Sequence, residues 1–255
     1  MRAAVVATLL LFFFSCGKMD DFTENEISYK KEEREIEIPA EESKKDNEIR
    51  RKLTNALYLG DLLTIKETIR DGVDVNTDIH EGRTLICYAV KKNNYDLTDY
   101  LIAQGAKVNV NCTYPPIYMA VEKKNLDIVK LLIYAGADVN KPCRISVSGA
   151  STTPLHAAVM NYDPGIFDEI LCRTDDVNQT AHDTETALHY ASRKCNYEAA
   201  EKLIERGADL NILNCMVQTP LDLAHDDKMK ELLRSYGAMP AREFLTEKEF
   251  EEAGK

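Results

Sequence analysis

The sequence lacks the motifs from which most chemistry can be read. No C-x-x-C pair occurs among its seven cysteines, which argues against a zinc ribbon or a thioredoxin-type redox site. G-x-S-x-G, H-E-x-x-H, the P-loop and G-x-G-x-x-G are all missing, so no nucleophile elbow, metalloprotease helix or phosphate cradle is on offer. None of the five histidines shares a metal-ligand spacing with another, and no cofactor or metal is implied. Basic residues are in the minority: 32 Lys and Arg against 43 Asp and Glu give a formal charge of −11. No Lys/Arg cluster interleaved with aromatics appears, so nucleic acid is not the expected partner. The apolar run from Ala3 to Phe14 is too short to span a bilayer as a resident helix.

What is present is a repeat. An alanine recurs as Ala56, Ala89, Ala120, Ala158, Ala191 and Ala224, and an asparagine as Asn76, Asn109, Asn140, Asn178 and Asn211. Each of the first five alanines precedes its asparagine by twenty residues. The asparagine-to-alanine gaps vary instead, at thirteen, eleven, eighteen, thirteen and thirteen residues. A fixed spacing joined by variable connections marks one rigid unit copied along a solenoid, most periods being thirty-three residues. Within a unit, Thr153-Pro154 opens a helix, the threonine accepting from free N–H groups and the proline fitting N1. A polar turn such as Lys91-Lys92-Asn93-Asn94 follows, then an apolar stripe such as Leu126, Val129, Leu132 and Ile133. Gly105, Gly136 and Gly207 fit the left-handed position that stops the second helix.

Thr153-Pro154-Leu155-His156-Ala157-Ala158 and Gly136-Ala137-Asp138-Val139-Asn140 match the signatures of the ankyrin-repeat family, and the resemblance covers about three quarters of the chain. It implies an all-α solenoid of six helix-turn-helix units, residues 48–238, joined by hairpin loops. Thr186 to Ala191 and Thr219 to Ala224 are close variants. Pro115 to Ala120 lacks both Thr and His, and Thr174 replaces a stop glycine. The sixth unit reaches Gly237-Ala238 three residues early, which predicts a shortened turn between its helices. His156 and His189 stand at the signature histidine, where the family's ring bonds to backbone and orders the next hairpin. Cys87 takes that position in the second unit and is expected to be buried as a small hydrophobe.

The flanks read differently. Residues 1–15 carry one cation, an apolar run and a small residue at the exit, the parts of a secretory signal peptide. Cys16 follows, and the junction resembles the lipobox of bacterial lipoproteins, in which the cysteine is lipidated; Phe13 and Phe14 depart from that box, and plain secretion is the alternative. Residues 16–47 are acidic and poor in large apolar side chains, as in a disordered tether. Residues 239–255 form a capping helix, with a Thr246-x-x-Glu249 capping box, or a frayed tail. The expected location is the bacterial cell envelope, membrane contact being through the lipid alone. Cys112 and Cys143 each sit three residues after a repeat asparagine, in neighbouring hairpins, and are the candidate disulfide.

The resemblance implies binding of another protein by a monomeric solenoid, through hairpin tips and the exposed face of the first helices. Family analogy extends this to an immunity-type or protective partner. The longest hairpin segment, Lys141 to Thr152, carries Arg144, Ile145 and Val147; the shortened one beside it presents Tyr114 and Pro115. Loops on a rigid scaffold are where binding concentrates, although a long loop is also a tolerated insertion. Glu81, Arg83, Lys91, Glu122, Asp183 and Glu185 join the candidate surface by repeat position. A structural spacer, and an enzyme using hairpin His and Cys residues, are the alternatives.

Overall fold

The computed structural model describes residues 44–79, 83–110, 114–144 and 151–245. The expected signal peptide, Cys16 and most of the tether lie outside them, as do Glu81, Cys112, Ile145, Val147 and the Thr246–Glu249 box. Helices pair as α1 (Lys44–Leu59) with α2 (Leu62–Arg70), α3 (Leu85–Lys91) with α4 (Tyr95–Ala103), and α5 (Pro116–Glu122) with α6 (Leu126–Tyr134). The series continues with α7 (Pro154–Met160) and α8 (Pro164–Leu171), α9 (Ala187–Arg193) and α10 (Tyr197–Glu205), and α11 (Pro220–Leu223) and α12 (Asp227–Ser235). From α3 onward each first helix packs on the next first helix, and α4, α6 and α8 pack on one another in turn. A two-stranded antiparallel ribbon, β1 (Cys143–Arg144) with β2 (Ser151–Thr152), closes the base of the longest hairpin.

Local chemistry sets these boundaries. All six second helices carry an acceptor side chain at the N-cap: Asp61, Asn94, Asn125, Asp163, Asn196 and Asp226 each accept from the first free N–H groups. At the other end Gly105, Gly136 and Gly207 have φ of +86°, +85° and +88°, the conformation that turns the chain out of the helix. Where Thr174 replaces that glycine, its hydroxyl donates to the Ile170 carbonyl, while Arg206 Nη2 donates to the carbonyls of Leu171 and Thr174. The helix end is satisfied by side chains instead of by a left-handed turn. The six repeat alanines are each 4 % exposed or less, so the first helices meet almost backbone to backbone.

The asparagines explain the fixed spacing. Asn76, Asn109, Asn140 and Asn178 each reach forward into the following unit, accepting from the N–H of Lys107, Asp138, Asp175 and Asp209 and donating to the carbonyls of Gly105, Gly136, Arg173 and Gly207. Asn211 accepts likewise from Met239 N–H. An amide side chain with one acceptor and two donors is suited to tie down both backbone groups at once.

Three expectations change. The three residues missing from the sixth unit are taken from its first helix and not from the turn: α11 has four residues where α3, α5, α7 and α9 have seven, and Ala224 is already extended at ψ 117°. Asp222 makes the short helix self-sufficient, its carboxylate accepting from Thr219 N–H and from Ala241 N–H. A closing helix does occur, but upstream of the capping box, as α13 (Ala241–Phe244). Its Ala241 is buried against the sixth unit. At the other end α1 begins at Lys44, inside the stretch expected to be tether.

Candidate protein-binding face

The hairpins are held by the two signature histidines. His156 Nδ1 lies 2.7 Å from Thr153 Oγ1 and its Nε2 lies 3.1 Å from the Glu185 carbonyl, one unit further on. His189 repeats the arrangement: Nδ1 accepts from Thr186 N–H at 3.1 Å, so Nε2 is the protonated nitrogen that donates to the Gln218 carbonyl at 3.2 Å. Both rings are 0 % exposed, and burial pulls both down to a pKa of about 4. They are neutral structural pins, which fits the family's role for this position. Cys87 is buried as expected, its Sγ 3.8 Å from Thr84 Oγ1.

On the exposed side of the first helices, positions three apart in sequence share one face. Tyr88 with Lys91, Met119 with Glu122, and Tyr190 with Arg193 stand there at matching places in units two, three and five. Tyr58 and Met160 extend the row, 81 % and 49 % exposed. Ala157, fully buried, leaves a dip in the fourth unit. Tyr190 leans toward it, edge-on to His156 with ring centroids 5.5 Å apart, and the Arg193 guanidinium lies 5.3 Å above the Tyr190 ring. Burial and the neighbouring Glu185 push the Tyr190 hydroxyl up to about 12, so it stays a neutral donor. Tyr114 stacks on Tyr118 at 5.9 Å, and burial, followed by Glu122, raises the Tyr118 hydroxyl further still.

The sequence-derived candidates divide accordingly. Lys91 is exposed and Glu122 half-buried on this face, and Tyr114, Arg83 and Asp183 are half-buried at its edges. Arg144 lies in β1 at the hairpin base. Two are corrected. Pro115 is buried as the residue preceding α5 and does not present a notch. Glu185 is 6 % exposed, its carboxylate held by Arg193 and, at 3.2 Å, by Asn214 Nδ2, so it braces two hairpins from inside. Of the candidate disulfide only Cys143 is described: a free, buried thiol, pushed up to about 12 by that burial. Asp183 is held at φ +65° by the hairpin, and its carbonyl accepts from Cys215 N–H at 2.9 Å. Tyr58, Tyr88, Met160, Tyr190 and Arg193 were not among the sequence-derived candidates, although their three-residue spacing on the first helices was a signal for them. No cluster of three His, Cys, Asp or Glu able to hold a metal exists among the described residues, and no described helix is long and apolar enough to cross a membrane.

The family model for ankyrin repeats, in three copies, matches residues 53–143 and 144–214. Among curated proteins the chain is similar to the potassium channel SKOR of Arabidopsis thaliana, 37 % identical over 74 % of this chain and 22 % of the channel. It is also similar to the human mitochondrial disaggregase, 24 % identical over 72 % of this chain and 26 % of that protein. The chain thus spans about a quarter or less of these relatives. Among solved structures it superposes on a chain from the complex of a predatory endopeptidase of Bdellovibrio bacteriovorus with an immunity protein. That match has a TM-score of 0.62 and 24 % identity, and covers 72 % of this chain and 97 % of the other.

Proposed function

Because the chain belongs to the ankyrin-repeat family, a fold that typically binds proteins and is not typically enzymatic, we propose that it binds another protein through the exposed face of its first helices. The observation that carries this reading is the row Tyr58, Tyr88, Met160, Tyr190 and Arg193, set on helices locked to one another by buried alanines and asparagine clamps. Tyrosine, methionine and arginine are the residue types enriched where interfaces hold most of their energy. A surface that is rigid before binding loses little entropy when a partner arrives. The immunity protein in the solved complex suggests the kind of role: a stoichiometric partner that blocks or shields an enzyme. On the same reading residues 1–15 direct export, Cys16 carries the lipid, and the chain works at a bacterial envelope.

Crosslinked capture from native envelopes with the full chain tests the binding. One protein captured by the native chain and lost with Tyr88→Ala/Tyr190→Ala supports the face; each truncation is worth about 2 kcal/mol, roughly thirty-fold in affinity. Equal capture by both chains moves the site to the hairpins, and no enriched partner favours a spacer. Incorporation of labelled fatty acid that disappears in Cys16→Ala tests the anchor separately.

A further inference from the structure

The N-terminal end of the solenoid is built unlike the rest. Tyr58, Leu59 and Leu63 are 81, 77 and 69 % exposed, the densest group of bare apolar side chains among the described residues. Beside them a groove of about 220 Å³ runs between the first two units, lined by Leu57, Leu62, Tyr88 and Leu97 together with the exposed Leu59 and Lys92. That is smaller than the ~300–1,000 Å³ of small-molecule sites, and Lys92 is its single charged lining residue. Such a groove suits aliphatic side chains of a peptide better than a cofactor. The Lys92 border is basic, while Asp61 stands between the lining residues Gly60 and Leu62. Lys92 lines the groove, and Lys91 next to it is drawn below its ordinary pKa by burial and then by Arg83, Lys92 and Lys123, which places those three cations within electrostatic reach of Lys91 on a chain of net charge −11. An apolar groove with Lys92 at its border and Lys91 beside it fits an acidic, aliphatic segment.

One such segment precedes α1. In Glu32-Glu33-Arg34-Glu35-Ile36-Glu37-Ile38 an extended backbone would place Glu33, Glu35 and Glu37 on one side and Ile36 and Ile38 on the other, with Glu32 and Arg34 preceding them on that side. Its reach is sufficient. Lys44 to Leu59 is about 22 Å along a helix, and the eight residues from Ile36 to Lys44 span up to about 26–29 Å when extended. We propose that Glu32–Ile38 docks in cis in the groove between the first two units, Ile36 against Leu57 and Tyr88 and the glutamates toward Lys92 and its basic neighbours. Tethering supplies an effective concentration on the order of millimolar, so an affinity of about 0.1 mM keeps the segment seated roughly nine-tenths of the time. The docked segment covers the Tyr58–Tyr88 end of the first-helix face and shortens the tether. The docking does not depend on the partner-binding reading; only competition with a partner does.

The chain has no tryptophan, so Ile36→Trp in the full chain introduces a single tryptophan, which red-edge excitation reads apart from the tyrosines. Docking predicts a blue-shifted emission, independent of protein concentration and several-fold less quenched by acrylamide than in the same chain carrying Leu59→Lys or Lys92→Glu. Both groove substitutions fall on exposed residues, and an unchanged far-ultraviolet circular dichroism spectrum checks that the fold is intact. A water-exposed emission from Ile36→Trp, and from Ile38→Trp as a second probe, overturns the docking. A blue shift that ignores both groove substitutions overturns the site. A blue shift that grows with protein concentration overturns docking in cis and assigns the groove to a second copy.

Discussion

The fourth and fifth units pin the hairpins that follow them with buried histidines, whereas the second and third units carry Cys87 and Tyr118 at the same place. His156 and His189 span two units each, joining a threonine in their own helix start to a carbonyl in the next hairpin. Cys87 reaches Thr84 within its own unit. Tyr118 turns to its neighbours Tyr114 and Glu122. The difference teaches that the imidazole at this position joins two units through a threonine on one side and a carbonyl on the other, while the shared alanines and asparagines keep the stacking uniform among the described units.

The strongest way to break this comparison is to remove a pin. His156→Ala should cost roughly 3–4 kcal/mol, from the cavity and from the buried Thr153 and Glu185 groups left unpaired. Cys87→Ala should cost only about 1 kcal/mol. Equal shifts in the denaturant midpoint would erase the distinction between the two halves. Acid tests the same pins without mutation. Each histidine is neutral when folded, with a pKa of about 4, while the unfolded ring takes up a proton near 6.5. Stability is therefore complete above pH 6.5 and falls as the pH drops toward 4, by up to about 3 kcal/mol per histidine. Unfolding midpoints measured across that range should flatten in His156→Gln/His189→Gln.

A smaller effect tests what the halves share. Asn140→Ala removes bonds to Asp175 N–H and the Arg173 carbonyl, and should cost about 2 kcal/mol by chemical denaturation. Asn76→Ala should cost about the same, since its clamp is equivalent; a large inequality would mean that the asparagines also differ between halves. The smallest expected effect is a gain. Lys124 sits at φ +53° in an interhelix turn, so Lys124→Gly should raise stability by about 1 kcal/mol, read as a higher melting temperature.

Most of the fold was legible because it repeats: a spacing of twenty residues kept five times fixed the helix pairs, and the signature histidines were readable as pins. What escaped were decisions made between units. The brace on Glu185 depends on Asn214, twenty-nine residues away, and position in the repeat alone put that carboxylate outside. The shortened α11 was missed for a similar reason. Counting showed that three residues were gone, but only Asp222 bonding to Ala241 shows that a four-residue helix can stand in their place. The first-helix row was only half legible, since Tyr88 and Tyr190 stand on helices of constant length while the length differences of the first five units all fall in the hairpins.

The asparagine clamps also give the molecule a mechanical polarity. Every one of these side chains reaches toward the C-terminus, from Asn76 on Lys107 to Asn211 on Met239. Peeling the solenoid from its C-terminal end opens one clamp per unit and leaves the asparagine on the unit behind, Arg206 being the exception that reaches back to the Leu171 and Thr174 carbonyls. Peeling from the other end takes the asparagine away with the departing unit and strips support from the backbone of the next. Under tension the two ends are therefore not equivalent: from the N-terminus each asparagine leaves with the departing unit, while from the C-terminus it stays on the unit left behind.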